Sequence, residues 1–79
     1  MTIDEFMNLE PGDRIENPMT STSGSVVGIT NDRRGRMEGV TVQWDGAAPD
    51  SARTFTKHTT AWMHWNKIGH HANAGFMPL

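Results

Sequence analysis

Residues 40–44 read Val-Thr-Val-Gln-Trp, so strand-forming apolar side chains alternate with polar ones. Because successive side chains of a strand point to opposite faces, this period of two places Val40, Val42 and Trp44 on one face. A lone hairpin is barely stable in water, so this apolar face needs further strands or a helix to cover it. The alternation therefore predicts a sheet with one buried face.

Four more strands are predicted, each bounded by turn-forming residues. Three of them cover residues 13–17, 25–30 and 53–57. The fourth follows a tight turn at residues 59–62 and ends near residue 68. The spacing of Trp62, Trp65 and Ile68 would also suit one face of a helix, and that alternative stays open. Five short strands at intervals of about ten residues predict an all-β fold, a small barrel or sandwich.

The two ends of the chain carry different signals. Thr2 and Glu5 fit the capping-box pattern, which predicts a short helical turn that ends near Met7. Residues 69–79 show no periodicity and are predicted to form an irregular C-terminal tail. The folded domain is therefore predicted to cover residues 1–68.

Composition limits both the size of the core and the range of functions. The chain has 79 residues, 35% of them apolar, and no cysteine, so it can build one core without disulfides or thiolate metal ligands. Its net charge of −2 argues against binding nucleic acid with the whole surface. Apolar runs are too short to cross a membrane, and Asp4 and Glu5 stand where a secretory signal would be basic. We expect a cytoplasmic protein without a membrane partner.

The residues that could carry chemistry form no recognised catalytic or metal-binding pattern. His58, His64, His70 and His71 lack ligand spacing and have no nearby carboxylate in the sequence, so neither a metal nor another cofactor is predicted. The chain has no Gly-x-Ser-x-Gly elbow and no phosphate-binding glycine loop. Since so small a core also leaves little room for an enclosed cleft, we expect the protein not to be an enzyme.

Three segments together resemble a known superfold. They are Gly12-Asp13-Arg14-Ile15, Gly24-Ser25-Val26-Val27-Gly28-Ile29 and Val40-Thr41-Val42-Gln43-Trp44-Asp45-Gly46. This succession looks like the strands of SH3-like barrels of the KOW and Tudor type, in which the first strand opens with Gly-Asp and the third often ends in aromatic-Asp-Gly. The resemblance covers residues 11–68 and implies a five-stranded SH3-like barrel.

The same resemblance bears on function. Small solitary members of this superfold are often adaptors or regulators of a larger complex, and they include phage and bacterial accessory proteins. The first loop departs from the KOW pattern, because Thr20-Ser21-Thr22-Ser23 replaces the basic, glycine-rich residues that ribosomal and elongation-factor members use on RNA. The resemblance therefore implies a protein partner more than a nucleic acid.

A basic cluster is the first candidate contact surface. Arg33, Arg34 and Arg36 fall on a predicted hairpin tip, where guanidinium groups can bind phosphates or an acidic protein surface. The alternative is a solvated tip held near Asp32 and Glu38, and the sequence leaves both open.

Tryptophans supply the second candidate contact surface. Of Trp44, Trp62 and Trp65, two are expected to build the core and one to remain partly exposed. Aromatic side chains anchor many interfaces, so an exposed Trp65 beside Met63 and His64, or an exposed Trp62, is the candidate partner contact. The favoured interpretation is nevertheless that these tryptophans belong to the core, because tryptophans are highly buried on average.

These observations rank three function classes. The leading prediction is a non-catalytic protein-interaction module that adapts or regulates a larger assembly. The alternative is a nucleic-acid-binding KOW-like barrel that uses Arg33, Arg34 and Arg36. A self-assembling homo-oligomer is the third class, because small barrels gain stability by oligomerising.

Overall fold

The protein folds around one antiparallel sheet, with a short helix before it and a 3₁₀ turn before the last strand. A computed structural model describes residues 1–70, so residues 71–79 of the predicted tail, with His71, lie outside the described part. The elements are helix α1 (Ile3–Met7), strands β1 (Asp13–Asn17), β2 (Thr22–Asn31), β3 (Met37–Trp44) and β4 (Arg53–Thr56), the 3₁₀ turn (Ala61–His64) and strand β5 (Asn66–His70).

The sheet has the strand order β4-β3-β2-β1-β5, with antiparallel neighbours throughout. Strands β1 to β4 form a meander, and β5 returns to pair with β1. Register shifts between Arg14 and Ile15 and between Val26 and Gly28 mark irregularities of the bulge type, which bend and twist strands. The prediction of an all-β fold with five strands and a short N-terminal helical turn is confirmed.

Strands β2 and β3 are longer than predicted because the hairpin between them is tightly closed. The carboxylate of Asp32 accepts hydrogen bonds from the backbone N–H groups of Arg34 (2.8 Å) and Arg36 (3.0 Å). Gly35 takes the left-handed backbone conformation that the turn requires, with φ of 78°. Pairing therefore continues to Asn31 and Met37, inside the segment that was predicted to be loop.

The last strand also ends later than predicted. Strand β5 includes Gly69 and His70, which pair with Arg14 and Asp13 of β1, so the sheet continues two residues past the domain boundary placed at residue 68. A tight turn precedes this strand as predicted, but it is a 3₁₀ turn that covers Ala61–His64, two residues later than the predicted residues 59–62.

Helix α1 covers one side of the core. Its capping box is confirmed, because Thr2 Oγ1 accepts from the N–H of Glu5 (3.1 Å) and Glu5 Oε1 accepts from the N–H of Thr2 (2.8 Å). Phe6 is fully buried and stacks on Trp62, with ring centroids 4.6 Å apart. The buried apolar residues are Phe6, Leu9, Ile15, Val26, Val40, Val42, Trp62 and Trp65.

A buried carboxylate joins the first strand to the last. Asp13 is 1% exposed, accepts a hydrogen bond from the N–H of Glu10 (2.8 Å), contacts Nδ1 of His70 and lies 3.5 Å from Nζ of Lys67. Burial raises the pKa of Asp13, but the hydrogen bonds from Glu10 and His70 and the charge of Lys67 outweigh it and lower that pKa. The expectation that no carboxylate lies near the histidines is therefore wrong for His70.

Candidate functional site

An open groove of about 570 Å³ lies between the β1–β2 turn, the β3–β4 loop and the 3₁₀ turn. We call it the aromatic groove, because Trp44, Phe55 and Trp65 line it. Polar and small residues complete its lining, namely Asn17, Thr20, Thr22, Asp45, Gly46, Ala47, Arg53 and Ala61. It combines an apolar surface with a polar margin, as interfaces in proteins do.

The three aromatic rings pack edge to face. The centroid of Trp65 lies 4.8 Å from that of Phe55 and 5.6 Å from that of Trp44, with ring planes at 84° and 82°. Trp44 and Phe55 meet at 83°, with centroids 6.3 Å apart. Trp65 is buried, while Trp44 and Phe55 are half-buried. Edge-to-face pairs stabilise one another, so the aromatic part of the groove is held in place before any partner binds.

Gly24 determines where the Trp44 ring can lie. It pairs with Trp44 across β2 and β3, and a Cβ atom built on it would lie 2.9 Å from Cε3 of Trp44 and 2.8 Å from the carbonyl oxygen of Gln43. Only a residue without a side chain leaves room for the ring there. The predicted strand began at residue 25 and left Gly24 outside it, although a glycine inside a strand pattern is itself a signal of close approach.

The β3–β4 loop, which forms one wall of the groove, is tied to the rest of the sheet. Arg14 Nη1 donates to Ser25 Oγ (2.9 Å) and to Asp45 Oδ1 (2.8 Å), and Arg14 Nη2 contacts Asp45 Oδ2. The hydrogen bond to Asp45 and the charge of its carboxylate raise the pKa of Arg14. Gln43 Nε2 donates to the carbonyl of Ala48 (3.0 Å) further along the loop. Sequence reasoning missed Arg14, because nothing local connects it to Asp45.

Two tryptophans lie in the core and one is partly exposed, as predicted. Trp65 is 1% exposed, in agreement with the favoured core interpretation, so the alternative of an exposed Trp65 contact is wrong, although Trp65 lines the groove. Trp62 is also buried, and its Nε1 donates to the carbonyl of Thr56 (3.1 Å). Met63 is 52% exposed, as expected of a contact residue. The partly exposed tryptophan is Trp44.

The first candidate contact surface, the arginine tip (residues 33–36), is exposed as expected. Backbone hydrogen bonds from Arg36 and Arg34 lower the pKa of Asp32 and keep its carboxylate at the turn. Strand β3 leads from the tip to the aromatic groove, and its eight residues span roughly 25 Å at the usual rise of a strand. The arginine tip and Trp44 of the aromatic groove therefore lie at opposite ends of β3.

Within residues 1–70, no three His, Asp or Glu side chains lie close enough together to hold a metal ion. No helix there is long and apolar enough to cross a membrane.

Fold and site together define a small, mostly β domain with an aromatic groove at one end of its sheet. No family model, curated protein or solved structure matches the chain.

Proposed function

We propose that the protein is a non-catalytic protein-interaction module that binds an extended peptide segment of its partner in the aromatic groove. It would thereby act as an adaptor or regulator of a larger assembly. The observation that carries this proposal is the packed set of Trp44, Phe55 and Trp65 along an open groove with a polar margin. Aromatic residues in preformed grooves supply much of the binding energy at protein interfaces.

The shape and the margin of the groove favour a peptide segment. The groove is open to solvent, and its lining includes the amide and hydroxyl residues Asn17, Thr20 and Thr22 beside the aromatic rings. Such groups can exchange hydrogen bonds with a peptide backbone while the aromatic rings take up an apolar side chain. The resemblance of residues 11–68 to small SH3-like barrels of the KOW and Tudor type supports the same role.

A random-peptide display selection tests this proposal. Peptides selected on the wild-type protein should bind Trp44→Ala at least about ten-fold more weakly, since truncating a central aromatic anchor costs 2 kcal/mol or more. Ala61→Gln should also weaken them, because Ala61 is exposed, lines the groove and can carry a longer side chain without disturbing the core. Circular dichroism must show that both variants fold.

Ile68→Ala is the matched control, since Ile68 is exposed but does not line the aromatic groove. It should leave peptide affinity unchanged. Selected peptides that bind the Ala61→Gln variant as tightly as the wild type would contradict the proposal, and so would a selection that enriches no peptide.

A second candidate function is nucleic-acid binding through the arginine tip. Asp32 is engaged with backbone N–H groups, and among residues 1–70 no ion pair includes Arg33, Arg34 or Arg36. Fluorescence anisotropy with a labelled single-stranded oligonucleotide tests this function. Affinity that falls steeply with salt and disappears when the three arginines are replaced by alanine would favour it over the peptide proposal.

A further inference from the structure

We infer that the peptide segment in the aromatic groove is acidic, with an apolar side chain on the rings and a carboxylate at Arg53. This inference rests on the proposed function and adds the chemistry of the partner. It comes from the charges that line the groove.

Arg53 is placed at the groove by the register of the last hairpin. It is the first residue of β4 and pairs with Val42 of β3, so it lies on the face of the sheet that Val42 turns to the core. Unlike Val42, it is exposed, and it lines the groove together with Phe55, two residues later on the same face. When one side chain of the peptide contacts the aromatic rings, the neighbouring peptide side chain would therefore reach the guanidinium group of Arg53.

The groove does not balance the charge of Arg53 itself. Asp45 is the acidic residue among those that line it, and both of its carboxylate oxygens contact Arg14. Three ion pairs occur within residues 1–70, and none of them includes Arg53. A positive charge thus stands beside an apolar surface, with its donors available to a partner.

A carboxylate is the group that this arrangement recognises best. Guanidinium presents two parallel N–H donors that match the two oxygens of a carboxylate, whereas a lysine on the peptide would be repelled. An exposed ion pair at the margin of an interface adds little affinity, but it selects partners and speeds their association. We therefore expect Arg53 to set specificity, while Trp44 and Phe55 supply most of the binding.

Short synthetic peptides with one leucine or tryptophan, flanked by glutamate, glutamine or lysine, test the inference by fluorescence anisotropy. On the wild-type protein the glutamate peptides should bind about two- to five-fold more tightly than the glutamine peptides at low salt. Lysine peptides should bind most weakly. High salt should reduce the differences.

Two matched arginine variants assign the preference to one residue. Arg53→Gln should remove the difference between glutamate and glutamine peptides, and Arg53→Glu should reverse the order of glutamate and lysine peptides. Arg33→Gln makes the same change of charge at the arginine tip, on the far end of β3, and should keep the wild-type preference. Circular dichroism checks that each variant folds.

The outcomes separate this inference from the function on which it rests. If glutamate and glutamine peptides bind the wild type equally and Ala61→Gln weakens the binding of both, the inference of an acidic partner is wrong and the peptide-binding function stands. An acidic preference that survives in Arg53→Gln would overturn the role of Arg53. If no peptide of any charge binds, both proposals fail. Both also fail if sedimentation shows a wild-type dimer that Ala61→Gln dissociates, because a second copy of the chain then fills the groove.

Discussion

The guanidinium group of Arg14 on β1 contacts both carboxylate oxygens of Asp45, which follows β3. This pair crosses β2, where Arg14 also donates to Ser25 Oγ. It joins the first strand to the loop that forms one wall of the aromatic groove, so the loop is held by the sheet and not by its own residues alone.

A double-mutant cycle should measure this link. Arg14→Met and Asp45→Asn should show a coupling energy of about 0.5–1 kcal/mol, since the side chain of Asp45 is 55% exposed and exposed pairs are weak. Urea unfolding at low and high salt provides the measurement, and the coupling should shrink at high salt. Arg14→Lys should not restore it, because lysine cannot bind two oxygens with a planar fork. A coupling energy of zero between Arg14 and Asp45 would contradict the role of this pair.

Two glycines of β2 should respond differently to the same substitution. Gly24→Ala should lower the free energy of unfolding and change the fluorescence of Trp44, because its Cβ atom would lie 2.9 Å from the Trp44 ring. Gly28→Ala should be tolerated or slightly stabilising, since its Cβ would meet only Thr41 at 3.8 Å and alanine has less freedom in the unfolded chain. Equal melting temperatures for the two variants would contradict the close approach at Gly24.

Asp13 should make the stability of the protein depend on acidic pH. Because its pKa is lower in the folded protein than in the unfolded chain, ionised Asp13 stabilises the fold above the unfolded pKa of about 3.9. That contribution is lost as the pH falls through the folded pKa. Asp13→Asn cannot ionise, so its free energy of unfolding should approach that of the wild type as the pH falls below about 4.

Urea unfolding over a series of pH values measures this convergence. Val27→Thr, an exposed change that alters no ionisable group, is the control and should differ from the wild type by the same amount at every pH. A difference between Asp13→Asn and the wild type that stays constant with pH would show that ionisation of Asp13 does not stabilise the fold.

The same change at two valines should separate the two faces of the sheet. Val42 is fully buried, so Val42→Asp should unfold the domain, because an unpaired buried charge costs several kcal/mol. Domains of this size seldom have more than about 5 kcal/mol of stability. Val27 is 52% exposed, and Val27→Asp should keep the fold. Circular dichroism distinguishes the two, and a folded Val42→Asp variant would contradict the assigned core.

Features that depend on near neighbours in the chain could be predicted from sequence. The alternation at residues 40–44 places Val40 and Val42 in the core, and Thr2 and Glu5 cap α1, as predicted. These signals work because the side-chain period of a strand and the first turn of a helix involve residues only a few positions apart. The arginine tip is exposed for the same reason, since turn formers surround it.

The burial of the tryptophans could be predicted only in part. Two of the three lie in the core, but choosing which ones required the geometry of the 3₁₀ turn. Trp62 lies in the turn and Trp65 caps it three residues later, and both side chains are buried. Trp44 then remains half-buried, at the end of β3 beside Gly24.

What the sequence by itself determined is the set of strands, the capped first helix and the turns, because each follows from local periodicity and backbone preference. Only the tertiary structure decided that Asp13 meets His70, that Arg14 binds Asp45 and that Arg53 lies beside Phe55 in one groove. Those contacts depend on which strands pair and in which register. Pairing is set by how all the apolar faces bury together, and no single segment of the chain carries that information.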